Sequence, residues 1–204
     1  MRELGFENPA AMIDKFPAVL NFSIDTMAAK LTSLTALGFS DALDLASRFP
    51  SVLSFNINET VRSKIEGMRA LGIVDPVRML ETYPVFIGLS FENNFKPTFL
   101  SLRNDWLFTT EQIEVNPSIM SSSLSRMNEI AELLFEQMGI KPDSLSLYVR
   151  QSLIRSISAA DILGQLSDRG FTDLETQKAA LSDAKNFSWI FKKYKGDCEK
   201  LLAN

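Results

Sequence analysis

The chain has 204 residues, 46% of them hydrophobic, with 21 Lys and Arg against 25 Asp and Glu, a net charge of -4, no His and a single Cys. This composition excludes a disordered chain, an internal disulfide, imidazole-based metal or acid-base chemistry and a chain-wide attraction to polyanions. No apolar run approaches the ~20 uncharged residues that cross a bilayer, and the start "MRELGFENPAAM" has neither an apolar signal core nor an Arg/Ser-rich transit segment, so a soluble intracellular protein with no N-terminal address is expected.

Taken in order, the chain repeats itself. Aromatic-Pro pairs fall at Phe16-Pro17, Phe49-Pro50 and Tyr83-Pro84, and the series continues at Asn116-Pro117 without its aromatic. A Gly followed by an apolar residue stands twelve residues ahead of each of the first three prolines, at Gly5-Phe6, Gly38-Phe39 and Gly72-Ile73. A period of 33 to 34 residues is that of stacked helical hairpins. The expectation is an all-α solenoid, of either hand, with about six helix-turn(3₁₀)-helix repeats in one domain over residues 1–204. The units fall at about 5–37, 38–71, 72–105, 106–138 and 139–169, with a degenerate cap at 170–204.

In the first unit Ile24, Met27, Leu31, Leu34 and Leu37 recur at helical spacing before Gly38. The second, "LGFSDALDLASRFPSVLSFN", shows the full grammar. Ser40 or Asp41 offers an N-cap, and Ala42, Leu45, Ala46 and Phe49 fall on one helical face. Pro50 ends that helix, and Val52, Leu53 and Phe55 point to a shared interior through a tight 3₁₀ turn. Asn56 caps a longer helix carrying Ile57, Val61, Ile65, Met68 and Leu71 up to Gly72. Phe49 is the expected core anchor, with about 3–5 kcal/mol lost on truncation to Ala.

The later units drift. Pro97 either kinks the third long helix or marks a delayed start after Asn94. At the next boundary no Gly is present, and either Asp105-Trp106 or Leu107-Phe108 takes its place. The fourth unit carries "SSSLSRMNEIAELLFEQMG", whose serines are cap candidates and whose Gly139 is the stop. In the fifth, Arg150 falls where the proline would be, and Gly170-Phe171 opens the last.

The motifs "DKFPAVLNFS", "SRFPSVLSFN", "ETYPVFIGLS" and "TTEQIEVNPSIMSSSLSRM", each followed by an amphipathic helix, resemble the mTERF repeat of the mitochondrial transcription termination factor family over residues 4 to 140. The resemblance implies a left-handed superhelix whose concave side holds nucleic acid, and a role in organellar transcription, ribosome assembly or RNA processing. Its members are generally basic and mostly enter mitochondria or chloroplasts, whereas this chain has a pI near 5.0. The implied compartment is an organelle for a processed eukaryotic protein and the cytoplasm for a bacterial relative.

A nucleic-acid groove needs cations that recur with the repeat, because each neutralised phosphate releases counterions. Lys15 and Arg48 both stand two residues before a proline. Lys30, Arg62, Lys64, Lys96 and Arg126 recur on the long helices, with Arg69 and Arg103 further along. The same residues, interleaved with Asp25, Glu59, Glu66 and Glu81, also read as ordinary solvated faces. Arg150 and Arg155 share an anion site if the chain turns between them. The terminal "FKKYKGDCEK" offers lysines interleaved with Phe191 and Tyr194, read as a stacking surface or as a capping helix that also uses Trp189, and Cys198 reads as an ordinary free thiol. With no Ser/His or Cys/His pair, Gly-rich phosphate loop or ligand cluster, no catalysis, cofactor or metal is expected. The partner is nucleic acid or, where acids line the groove, a protein.

Overall fold

The computed structural model describes residues 1–182, and the regular elements among them are all helical. They fall into two compact units, one from Met1 to Lys96 and one that begins at Pro97. The "FKKYKGDCEK" cluster, Trp189 and Cys198 lie outside the described residues.

The first unit repeats one sentence three times. A short helix, α1 (Pro9–Lys15), leads through a 3₁₀ segment (Pro17–Asn21) to a long helix, α2 (Ile24–Ala36). Next come α3 (Ala42–Arg48), a 3₁₀ segment (Pro50–Ser54) and a π turn (Ile57–Val61) that runs into α4 (Arg62–Ala70). The third round is α5 (Pro76–Thr82), α6 (Val85–Gly88) and a second π turn (Phe91–Phe95). Each start is fixed by a side-chain oxygen that accepts the N–H three residues on. Asn8, Asp41 and Asp75 do this for the short helices, and Ser23, Asn56 and Ser90 for the long ones. Of the two cap candidates in the second unit, Asp41 is the one used. Ser40 instead donates its N–H and its hydroxyl to the Glu81 carboxylate, tying the second short helix to the third.

The core sits under the prolines. A proline cannot donate to the preceding turn, so the ladder stops and the tighter 3₁₀ segment turns the second residue beyond it inward. Val19, Val52 and Phe86 occupy that position and are fully buried, as is Leu53 beside Val52. Phe16, Phe49 and Tyr83, the aromatics before the prolines, are only half-buried, and so is Phe55. The expected anchor at Phe49 is therefore corrected: its ring lies over Gly88, while the interior is held by Val52 and Leu53. Each long helix closes with a left-handed residue, Gly38 or Gly72. The following Phe39 and Ile73 are buried, and their N–H groups reach back to the carbonyls of Leu34 (3.3 Å) and Met68 (3.1 Å).

The second unit opens with α7 (Lys96–Asn104). Pro97 therefore stands second in a regular α-helix, where its missing N–H matters little. Helical winding has already begun at the Ser90 cap, so Pro97 is a compromise between the two expectations: regular geometry is delayed, the helical run is not. Then follow α8 (Thr110–Val115), a 3₁₀ segment (Pro117–Ser121), and α9 (Leu124–Ala131) continued by a π turn (Glu132–Gln137) to Gly139. Thr109 closes a capping box with Gln112, and Ser123 caps α9.

At the boundary without a Gly, Leu107 adopts the left-handed conformation itself, φ 55°, and Phe108 behind it is buried like Phe6, Phe39 and Ile73. In the fifth repeat a 3₁₀ step (Pro142–Ser144) comes early, and α10 (Leu147–Ser156) runs unbroken through Arg150, because no proline is there to stop it. Ser158 caps α11 (Ala159–Ser167), Gly170 ends it, and Asp173 caps α12 (Leu174–Ser182).

Candidate nucleic-acid interface

Two of the cations that recur with the repeat, Lys30 and Lys64, are drawn into the fold. Lys30 donates from Nζ to the carbonyl of Phe55, 25 residues on, at 2.6 Å, and lies 5.9 Å from the Phe22 ring. Lys64 does the same one repeat later: its Nζ donates to the carbonyls of Phe86 (2.8 Å), Ile87 (2.6 Å) and Leu89, the last also 25 residues on. Phe55 and Leu89 are the residues at which the turn after each proline ends. Carbonyls there have no helical partner, so an ammonium from the preceding repeat's long helix satisfies them. Lys64 is 5% exposed, and burial pushes its ammonium down to about 8.

The other first-unit candidates divide. Arg48 pairs with Asp44 (2.6 Å) and donates to the carbonyl of Glu81 (2.9 Å), while Lys96 pairs with Glu92 (2.8 Å). Lys15, Arg62 and Arg69 are exposed. On the long helix Glu59, Arg62, Glu66 and Arg69 follow one another at three- and four-residue steps, a face of alternating sign. Lys15 and Arg48 do meet in one cleft of about 460 Å³ that also holds Glu7, Asp41 and Asp44. A larger cleft of about 750 Å³ lies over Lys64, with Phe55, Ile87 and Phe91 as its apolar lining and Glu59 and Glu92 beside them. Its floor includes Gly67, where an added Cβ would stand 2.5 Å from the Phe91 ring.

In the second unit Arg150 is 9% exposed and donates from Nη1 to the carbonyls of Trp106 (2.5 Å) and Leu107 (2.8 Å), with its guanidinium 5.0 Å from the Phe108 ring centre. Burial lowers its pKa, partly offset by the Asp143 carboxylate. Arg103 donates to the carbonyl of Phe108 at 3.2 Å. Arg150 and Arg155 share no anion site, since both lie on the unbroken α10 and point to different partners. Arg155 reaches Asn116 Oδ1 (3.0 Å) and Ser118 Oγ, and the structure brings it together with Arg126, which donates from Nη2 to the carbonyl of Ile154. These two arginines line a cleft of about 420 Å³ with Ser118, Ser121, Ser122 and Ser123. No carboxylate lines it, in contrast to both first-unit clefts.

The serines are what sequence reasoning missed. "SSSLS" was legible as a source of caps, and Ser123 is one, but the run also supplies hydroxyls around a corner whose cations come from α9 and α10. The signal was the coincidence of a serine run with Arg126, three residues past the cap.

A left-handed residue, a capped short helix, a proline-led turn and a capped long helix, written repeatedly, define a helical-repeat protein. The family model mTERF matches residues 1–152, three quarters of the chain, and the chain belongs to the mTERF family. No curated protein and no solved structure matches it. No described helix is long and apolar enough to cross a membrane, and no described group of three or more acidic or thiol side chains is placed to hold a metal ion.

Proposed function

We propose that this chain is a non-catalytic nucleic-acid-binding protein that regulates transcription or RNA and ribosome processing, with residues 1–204 acting as one helical-repeat domain. It works in a mitochondrion or chloroplast if its source is eukaryotic, and in the cytoplasm if bacterial. Membership of the mTERF family supports the class of function. The observation that carries the reading is the acid-free cleft of Arg126 and Arg155 in a chain where acids outnumber bases by 25 to 21. Electrophoretic mobility shift on mixed DNA and RNA over a salt series tests it: a complex that weakens with salt is expected, and no complex even at low salt overturns it.

One observation favours a second reading, a protein-binding scaffold. The 750 Å³ cleft has an apolar lining of Phe55, Ile87 and Phe91 and carries Glu59 and Glu92, which suits a basic amphipathic segment. On that reading E59K with E92K abolishes partner capture. On the nucleic-acid reading the same pair leaves the mobility shift intact or strengthens it.

A further inference from the structure

We infer that the cleft formed by Ser118, Ser121, Ser122, Ser123, Arg126 and Arg155 is a discrete site for a single phosphate group. The proposal deepens the nucleic-acid reading and rests on it only for the source of the phosphate. Three independent features converge on the same corner.

The first is charge without compensation. Two guanidinium groups line the cleft and no carboxylate does. The second is spare donor capacity. A guanidinium presents five N–H donors. Arg126 directs Nη2 to the carbonyl of Ile154, and its Nε–H is buried without a partner. Arg155 serves Asn116 and Ser118 through Nη2 alone. Each arginine is thus anchored by one amino group: Arg155 keeps Nε and Nη1 for a ligand and Arg126 keeps Nη1, and the fixed guanidinium planes are pre-organised for phosphate recognition. The third is the backbone. Ser123 caps α9, an eight-residue α-helix prolonged by a π turn, and the first N–H groups of a helix have no carbonyl of their own to serve. Ser122, just before the cap, has an extended backbone at φ -73° and ψ 148°, and its N–H donates to the carbonyl of Ile119 at 3.3 Å. Its hydroxyl is left for the cleft.

The equivalent corner of the first unit has the opposite character. In the first unit the corner after the preceding proline is the 750 Å³ cleft, where Glu59 and Glu92 stand and the Lys64 ammonium is already held by three carbonyls. That corner repels what the Ser118–Ser123 corner attracts. The shared chemistry is a phosphate bearing two free oxygens at least, supplied by a phosphodiester of single-stranded nucleic acid or by a free phosphomonoester.

Ser122→Asp tests the site, because it puts a carboxylate in the cleft without removing any described side-chain bond. Arg155→Lys keeps the charge and loses the fork, and provides the second variant if the first folds poorly. Each full-length protein is titrated with a fluorescent single-stranded oligoribonucleotide, and its melting temperature is read with and without inorganic phosphate. RNA affinity that falls about tenfold or more in Ser122→Asp, together with loss of the phosphate-induced rise in melting temperature, supports a phosphodiester site. If no RNA binds the wild type but phosphate raises its melting temperature and not that of Ser122→Asp, the site stands with a free phosphomonoester as ligand, and the nucleic-acid reading falls. If RNA binds wild type and both variants alike and phosphate shifts none of them, the site is overturned and the nucleic-acid reading survives elsewhere on the surface.

Discussion

Leu107 holds a backbone conformation that glycine occupies at the equivalent step of the other repeats, φ 55° against 97° at Gly38 and 86° at Gly72. For an L-residue with a side chain this costs about 1–2 kcal/mol. Arg103 and Arg150 offset it by donating to the carbonyls of Phe108, Leu107 and Trp106, so the strained corner is clasped from both sides in sequence. Leu107→Gly removes the strain and adds roughly 0.5–1 kcal/mol of unfolded-state entropy. The side chain is 44% exposed, so about 1 kcal/mol of burial is lost as well. The terms nearly cancel, and a change within about 0.5 kcal/mol is expected in urea denaturation; a loss above about 1.5 kcal/mol would mean that the side chain itself holds the corner. Lys64 gives a second prediction at this scale. Burial holds its folded pKa at about 8, below the ordinary 10.5, so between those values the folded protein has released a proton that the unfolded chain keeps. Stability from this group therefore rises as pH climbs from about 8 to about 10.5. Wild type should gain on Lys64→Met across that window, and a constant gap would show the ammonium to be solvated. Below it, Lys64→Met should still cost about 1–3 kcal/mol, because the carbonyls of Phe86, Ile87 and Leu89 lose their donor.

At the scale of elements, the proline-led turn decides what is core. Leu53 is fully buried in that turn, whereas Phe49 before it is half-buried. Leu53→Ala should cost about 2–5 kcal/mol and Phe49→Ala less, measured as two thermal or urea melts. The reverse order would restore the aromatic as anchor. Helix starts and stops were legible in the sequence, because a cap oxygen, a proline and a glycine act through their own backbone within a few residues: Asn56, Pro50 and Gly72 all do what their chemistry dictates. The depth of Phe49 was not legible, since burial depends on which repeat packs over it. Nor were the destinations of the cations. Lys30 and Lys64 do recur with the repeat, but periodicity alone does not distinguish an ammonium that faces a phosphate from one that faces a carbonyl 25 residues on. The serine–arginine cleft was hidden for the same reason, as its parts come from α9, α10 and the turn after Pro117.

For the whole molecule, charge accounting bears on the proposed binding of nucleic acid. Of the candidate cations, Lys30, Lys64, Arg103 and Arg150 serve backbone carbonyls, and Arg48 and Lys96 pair with carboxylates. Arg62 and Arg69 alternate with Glu59 and Glu66 along one helix face, and the net charge is -4. A protein that follows a duplex backbone needs many uncompensated cations, and each phosphate it neutralises steepens the salt dependence by about 0.9 in log-log slope, or about 0.7 on single strands. One phosphate site, alone or with a neighbouring contact, predicts a single-strand slope of only about -0.7 to -1.4. Affinity measured across a salt series on the full-length protein should give that shallow line, with single strands preferred to duplex because base contacts must supply the rest. A slope steeper than about -4 would mean that a row of phosphates is neutralised. The exposed Lys15, Arg62, Arg69, Arg78 and Lys141, with Lys192, Lys193 and Lys195 of the terminal sequence, would then be the first residues to substitute.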